Sequence, residues 1–156
     1  MIDEFGFRAN VGIVLINHEG YALLARRIGM PAWQFPQGGV QEGESPIDAM
    51  YRELDEELGL AKTQVKLLGH TRKWLKYTLP ERFVRRHQTP LCIGQRQLWF
   101  LLELVVADEK INLLSFSEPE FDTWQWVPYW EPINKVVDFK KNVYRQALEE
   151  LATLIS

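Results

Sequence analysis

The sequence is short of several features that would have set its chemistry. It has one cysteine, Cys92, in 156 residues, which excludes an internal disulfide and a cysteine-based zinc site. Cys92 lies in the apolar stretch Leu91-Cys92-Ile93, so a buried, unreactive thiol is expected. The three histidines, His18, His70 and His87, are far apart and lack ligand spacing; they read as structural or solvent-facing. No apolar run reaches bilayer length, since the longest, residues 98–107, is broken by Glu103. Asp3 and Glu4 stand where a signal peptide would carry its apolar core. The expectation is a soluble, cytoplasmic protein with no membrane partner. A basic excess is missing too. The net charge is −3, so bulk attraction to nucleic acid is not available. Repeats, low-complexity tracts and linkers are absent, and the length suits a single domain over 1–156.

What is present lies in the ordinary globular range, with 46% hydrophobic and 25% charged residues. Six Trp, eight Phe and five Tyr supply a core and leave rings for base stacking. Charge is segregated along the chain. Residues 41–57 hold seven acids (Glu42, Glu44, Asp48, Glu53, Asp55, Glu56, Glu57) and one base, Arg52. Residues 72–96 hold seven bases (Arg72, Lys73, Lys76, Arg82, Arg85, Arg86, Arg96) and one acid, Glu81. The first segment is suited to cations, the second to an anion such as an RNA backbone.

Residues 10–17 are apolar nearly throughout, as in a strand covered on both faces. A turn at 18–20 leads to a returning strand over 21–27. Residues 33–39 read as a loop entering a helix, 64–77 as a strand, 91–106 as one long strand or two, and 123–127 as a short strand. A terminal helix is predicted over 139–155, with Val143, Ala147, Leu148, Leu151 and Leu154 on one face. Strands interleaved with two helices predict an α/β fold with a helix on each face of a sheet.

The best-specified element is a helix over 46–58. Ser45 suits the N-cap and Pro46 the first helical position, Asp48 is placed to close a capping box, and Gly59 is a left-handed stop. At about 100° per residue, Ile47, Met50, Leu54 and Leu58 form a core stripe, and Glu53, Glu56 and Glu57 form a second arc beside it. The glutamates are thus expected at the margin of the core. Like charges at i, i+3 and i+4 repel, and a hard divalent cation such as Mg²⁺ relieves them. Taken alone, three glutamates describe a solvated acidic face.

The surrounding pattern decides otherwise. From Gly38 the chain matches G-x5-E-x7-R-E-U-x-E-E-x-G-U, with U apolar, at Gly38, Glu44, Arg52, Glu53, Leu54, Glu56, Glu57, Gly59 and Leu60. With a chance of ~6% per fixed identity, seven identities coincide on the order of once in a billion start positions. In this box the chain resembles the Nudix hydrolases. The resemblance implies an α/β/α sandwich around a mixed central β-sheet, and hydrolysis of a phosphoanhydride in a nucleoside diphosphate linked to another group. It implies Mg²⁺, or Mn²⁺ or another divalent cation, on Glu53, Glu56 and Glu57 with Gly38 alongside. Arg52 would hold a glutamate in place, and Glu44 would orient.

Outside the box the chain resembles the bacterial RNA 5′-pyrophosphohydrolases of that family. The likeness runs through 7–12 (FRANVG), 33–39 (WQFPQGG), 92–95 (CIGQ), 99–102 (WFLL), 119–122 (PEFD) and 136–140 (VVDFK). It implies removal of phosphates from the 5′ tri- or diphosphate of single-stranded RNA, which exposes the transcript to decay. Arg8 and Arg27 suit phosphate, Lys140 suits phosphate or a base, and Tyr77 and Phe139 suit stacking. Val137 belongs to the same stretch as Phe139, and Glu120 matches a further metal-linked glutamate of the family. Arg26 points away from Arg27 if their strand is regular. A stimulating protein partner is implied by family analogy alone. The rival substrate is a dinucleoside polyphosphate such as diadenosine tetraphosphate. A non-catalytic RNA- or nucleotide-binding module is the rival of another class.

Overall fold

A computed structural model describes residues 1–155; of the domain expected over 1–156, only Ser156 lies outside the described residues. Eight strands form one sheet: β1 (Phe7–Ile16), β2 (Ala22–Arg27), β3 (Trp33–Gln34), β4 (Gln37–Gly39), β5 (Val65–His70), β6 (Leu75–Thr78), β7 (Gly94–Leu104) and β8 (Phe121–Val127). The main path is β3-β2-β1-β7-β5, with β4 on β1, β6 on β7 and β8 on β2. Strands β1 and β7 run parallel over ten residue pairs, Phe7↔Gly94 to Ile16↔Glu103. The other pairings are antiparallel, so the sheet is mixed, as expected.

The unbroken apolar run of β1 follows from burial on both faces. Val11, Ile13 and Leu15 pack with Ala49, Met50, Leu54 and Leu58 of α1 (Pro46–Leu58). Val14 and Ile16 pack with Val143, Tyr144, Ala147, Leu148 and Leu151 of α3 (Lys141–Ala152). A short helix, α2 (Pro132–Lys135), precedes α3. The α/β/α sandwich is the result, with one helix per face of the central strands.

Several boundaries differ from the sequence reading. Residues 33–39 form β3 and β4 rather than a loop, divided at Pro36, which has no N–H for a ladder. Residues 64–77 split into β5 and β6 where Thr71 turns to bond Trp99: its N–H donates to the Trp99 carbonyl at 2.8 Å, and its hydroxyl accepts the Trp99 N–H at 3.1 Å. Cys92 precedes β7 and is half-buried, its thiol donating to the Gly94 carbonyl at 3.3 Å. The terminal helix begins at Lys141, because Asp138–Lys140 forms a separate 3-10 turn. It ends at Ala152, so Leu154 leaves the apolar face and is 40% exposed. No helix among the described residues is long and apolar enough to cross a membrane.

Candidate active site

Helix α1 starts as its sequence directs. The Ser45 hydroxyl accepts the Asp48 N–H at 3.2 Å, which forms one half of the capping box. Gly59, at φ 66°, stops the helix in the left-handed region and returns its N–H to the Asp55 carbonyl. The buried face is turned from the expected stripe. Ala49, Met50, Glu53, Leu54, Glu57 and Leu58 are buried, whereas Ile47, in the first turn, is exposed. At about 100° per residue, Glu53 and Glu57 lie inside that arc and Glu56 at its flank. The glutamates are therefore not a row along the margin: two of them point into the protein.

Arg52 organises the neighbourhood. Its guanidinium grips Glu44 bidentately, Nε to Oε2 at 2.8 Å and Nη2 to Oε1 at 3.0 Å. Nη2 also donates to the Gly39 carbonyl at 2.8 Å, and Nη1 to Glu53 Oε1 at 2.8 Å and Glu56 Oε2 at 3.4 Å. Glu44 is thereby held ionised, its pKa lowered chiefly by Arg52, and it orients Arg52 in return. Gly38, on β4, lies against Glu53, and any side chain there would overlap the Glu53 carboxyl group. Only glycine permits this approach.

Glu57 has no such partner. Both of its carboxylate oxygens are buried and meet no hydrogen-bond donor. Its pKa is pushed well above the usual carboxylate range, first by burial and then by the neighbouring Glu120 and Glu53. Glu53 is raised as well, because burial outweighs the help of Arg52. Donorless buried carboxylates beside other carboxylates suit a hard cation. Among the described residues, no three His, Cys, Asp or Glu side chains close into a ready-made cage. The donor set thus fits a hard divalent cation, with Glu57 and Glu120 free of Arg52 and Glu53 and Glu56 both within its reach.

A cavity of about 440 Å³ opens next to this cluster, lined by Arg27, Gln37, Tyr77, Glu120, Phe139 and Lys140 among others, Val137 included. Five distant segments build it. A register shift between Arg26 and Arg27 sends the two side chains to different partners. Arg26 pairs with Asp122 at 3.0 Å, and Arg27 reaches Glu120 at 3.8 Å. Glu120 therefore faces both the cavity, through Arg27, and the carboxylate cluster, through Glu57. The Lys140 ammonium is 5.8 Å from the Tyr77 ring centroid. Its pKa falls to about 8, through burial first and then Arg27, with Glu120 acting in opposition.

Tyr77 is buried rather than offering an open face, and its ring lies 5.6 Å from that of the half-buried Phe139. Arg8 lies beside the cavity-wall residue Gln95 across β1 and β7, and it lines a second hollow with Met1, Ile2, Gln88, Thr89 and Pro90. The structure adds residues that the sequence reading did not single out: Gln34, Gln37, Gln95 and Phe83 at the cavity wall. Gln37 and Gln95 belong to a buried amide network in which Gln97 Nε2 donates to Asn10 Oδ1 at 2.9 Å, Gln37 Oε1 at 3.1 Å and Gln95 Oε1 at 3.3 Å. Nothing in their local sequence marks them as wall residues, because the network joins three strands.

The family described as NUDIX domain matches residues 6–147. An RNA pyrophosphohydrolase of Ectopseudomonas mendocina (strain ymp) is 57% identical over 152 residues, covering 97% of this chain and 96% of that protein. An RNA pyrophosphohydrolase of Salmonella newport (strain SL254) is 54% identical over 155 residues, covering 99% and 88%. Among solved structures, the E. coli dihydroneopterin triphosphate pyrophosphohydrolase superposes with a TM-score of 0.74 at 20% identity, covering 94% of this chain and 97% of the other. A C. elegans Ap4A hydrolase superposes with a TM-score of 0.66 at 19% identity, covering 94% and 98%. At such identities the likeness concerns the fold alone.

Proposed function

The chain belongs to the Nudix hydrolase family, and we infer that it is an RNA 5′-pyrophosphohydrolase. It removes phosphates from the 5′ tri- or diphosphate end of RNA, leaves a 5′-monophosphate and so commits transcripts to decay in the cytoplasm. Residues 1–156 act as one catalytic domain. The observation that carries this reading is the position of Glu120, which faces the donorless carboxylate of Glu57 on one side and the cationic, aromatic cavity on the other. A polyphosphate reaching across it has its anhydride beside the carboxylates and its nucleoside in the cavity.

Members of the family generally use divalent cations, and Mg²⁺ is the ion we assign here. Glu53, Glu57 and Glu120 would hold it, with Glu56 and Gly38 adjoining; when bound, it neutralises phosphate charge and polarises the anhydride. Water attacks phosphorus in line, the P–O anhydride bond breaks, and phosphate or pyrophosphate departs. A carboxylate, Glu53 or Glu56 on the helix or Glu120 on the loop, takes the proton of the water. Arg52 keeps Glu53 and Glu56 in place through the charge-assisted bonds described above. Arg27 and Lys140 supply positive charge for phosphate, and Phe139 stacks on an unpaired base, a contact worth about 1–3 kcal/mol.

A dinucleoside polyphosphate would meet the same groups. Side-by-side kcat/KM values for a 5′-triphosphorylated oligonucleotide and diadenosine tetraphosphate separate the two. We expect the RNA to be the better substrate, and a large preference for the dinucleotide would sink the RNA reading. A purely binding module has no use for a buried, donorless Glu57. Glu57→Ala with Mg²⁺ present is expected to abolish turnover while largely retaining RNA binding, whereas unchanged turnover would remove the metal-site assignment.

A further inference from the structure

Three aromatic rings run outward from the cavity floor. Tyr77 is buried, and Phe139, half-buried, lies 5.6 Å from it. Phe83 follows at 6.0 Å from Phe139, tilted by 45°. Phe83 is 50% exposed, although it lines the cavity. It sits at the end of the 3-10 turn Glu81–Phe83 and joins neither core cluster. Its ring contacts are Phe139 and Arg82, not the core. Its surroundings are cationic. The Arg82 guanidinium covers the ring at 4.7 Å from its centroid, and Arg85 and Arg86 follow in the chain. Arg86 is paired with Glu81 at 2.6 Å, which leaves Arg82 and Arg85 without an ion pair among the described residues.

A half-exposed ring with an arginine lacking an ion pair over one face, continuous with a base-sized cavity, combines a π-system for a base with positive charge for its phosphate, as single-stranded RNA requires. We propose that Phe83 is a stacking shelf for the base of the nucleotide that follows those held in the cavity, with Arg82 moving off the ring to its phosphate as the base arrives. The inference rests on the RNA reading of the same site. It gives the enzyme a footprint longer than a dinucleotide, and so a preference for an unpaired 5′ segment over a small dinucleoside polyphosphate.

The test uses unstructured 5′-triphosphorylated oligoribonucleotides of two, three and four nucleotides, with phosphate release measured as kcat and KM. For the wild type, KM should fall on going from two to three or four nucleotides. Phe83→Ala should remove that gain, raising KM on the longer RNAs about fivefold or more, as loss of one stacked base implies, with a smaller change on the dinucleotide and kcat retained. Phe83→Trp keeps a stacking face and should restore the length dependence. An equal loss at every length, or a tryptophan variant that behaves like the alanine one, overturns the shelf while the RNA reading stands. A wild type that releases no phosphate from any of the RNAs but cleaves diadenosine tetraphosphate overturns both.

Discussion

The carboxylate helix and the cavity beside it are built in opposite ways. The helix draws its functional groups from thirteen consecutive residues, Pro46–Leu58, and is anionic and inward-facing. The cavity draws Arg27, Gln37, Tyr77, Glu120 and Phe139 from segments tens of residues apart, and it is cationic and aromatic. The helix carries groups suited to any phosphoanhydride, and the cavity carries those that choose which one. Damage to the first should therefore appear in kcat and in metal dependence, and damage to the second in KM and substrate preference.

The largest effect expected is at Glu57. Glu57→Gln should lower kcat/KM on the order of a hundredfold or more, the scale on which a preorganised charge contributes to phosphoryl chemistry. Mg²⁺ should raise the Tm of the wild type, and the same substitution should abolish that rise, as followed by calorimetry. An unchanged Mg²⁺ response would break the contrast between the two regions.

Next is Arg52. Arg52→Lys cannot reproduce a fork that serves Glu44, Glu53, Glu56 and the Gly39 carbonyl together. It should cost about 1.5–3 kcal/mol of stability, the scale of hydrogen bonds to charged groups, and lower kcat more than it changes KM.

On the cavity side, Phe139→Ala should raise the KM for RNA about fivefold to a hundredfold with kcat nearly held, as loss of one stacked base implies. A kcat defect as large as that of Glu57→Gln would mean that the two regions do not divide the work.

Smaller effects follow from titration. Lys140, with its pKa brought down to about 8 by burial and Arg27, is a cation below that pH and neutral above it. The KM for RNA should therefore rise as pH passes through about 8, and Lys140→Met should flatten that limb. Glu53 and Glu57 have raised pKa values in the folded protein. The folded state holds their protons after the unfolded chain has released them, so their contribution is complete below the ordinary glutamate pKa and is lost as pH rises through the raised values. Metal-free protein should lose Tm over that window, and Mg²⁺ should reduce the slope.

The helix was legible because its information is local. Ser45, Pro46 and Gly59 mark its ends, and the spacing of Arg52, Glu53, Glu56 and Glu57 carries the chemistry. Even there, angular reckoning placed the glutamates beside the core, whereas Glu53 and Glu57 lie within its buried face. The reckoning drew the stripe through the apolar residues Ile47, Met50, Leu54 and Leu58 alone, and the buried face centres nearer Glu57, leaving Ile47 exposed. The split of residues 64–77, the strands at 33–39 and the 3-10 turn before α3 were not legible. The first two depend on partners elsewhere: Trp99 for Thr71, and β1 and β2 for β4 and β3.

By itself the sequence determined the reaction class and the fold class of this protein, because the box and the two-sided apolar strand are patterns of neighbours along the chain. Tertiary structure alone decided that Glu57 has no donor, that Glu120 lies between the carboxylates and the cavity, that Arg8 opens on a different hollow, and that Phe83 continues the row begun by Tyr77 and Phe139. Those facts concern burial and non-local approach. They arise only when strands far apart in the chain pair and exclude water between them, which no spacing within a segment can encode.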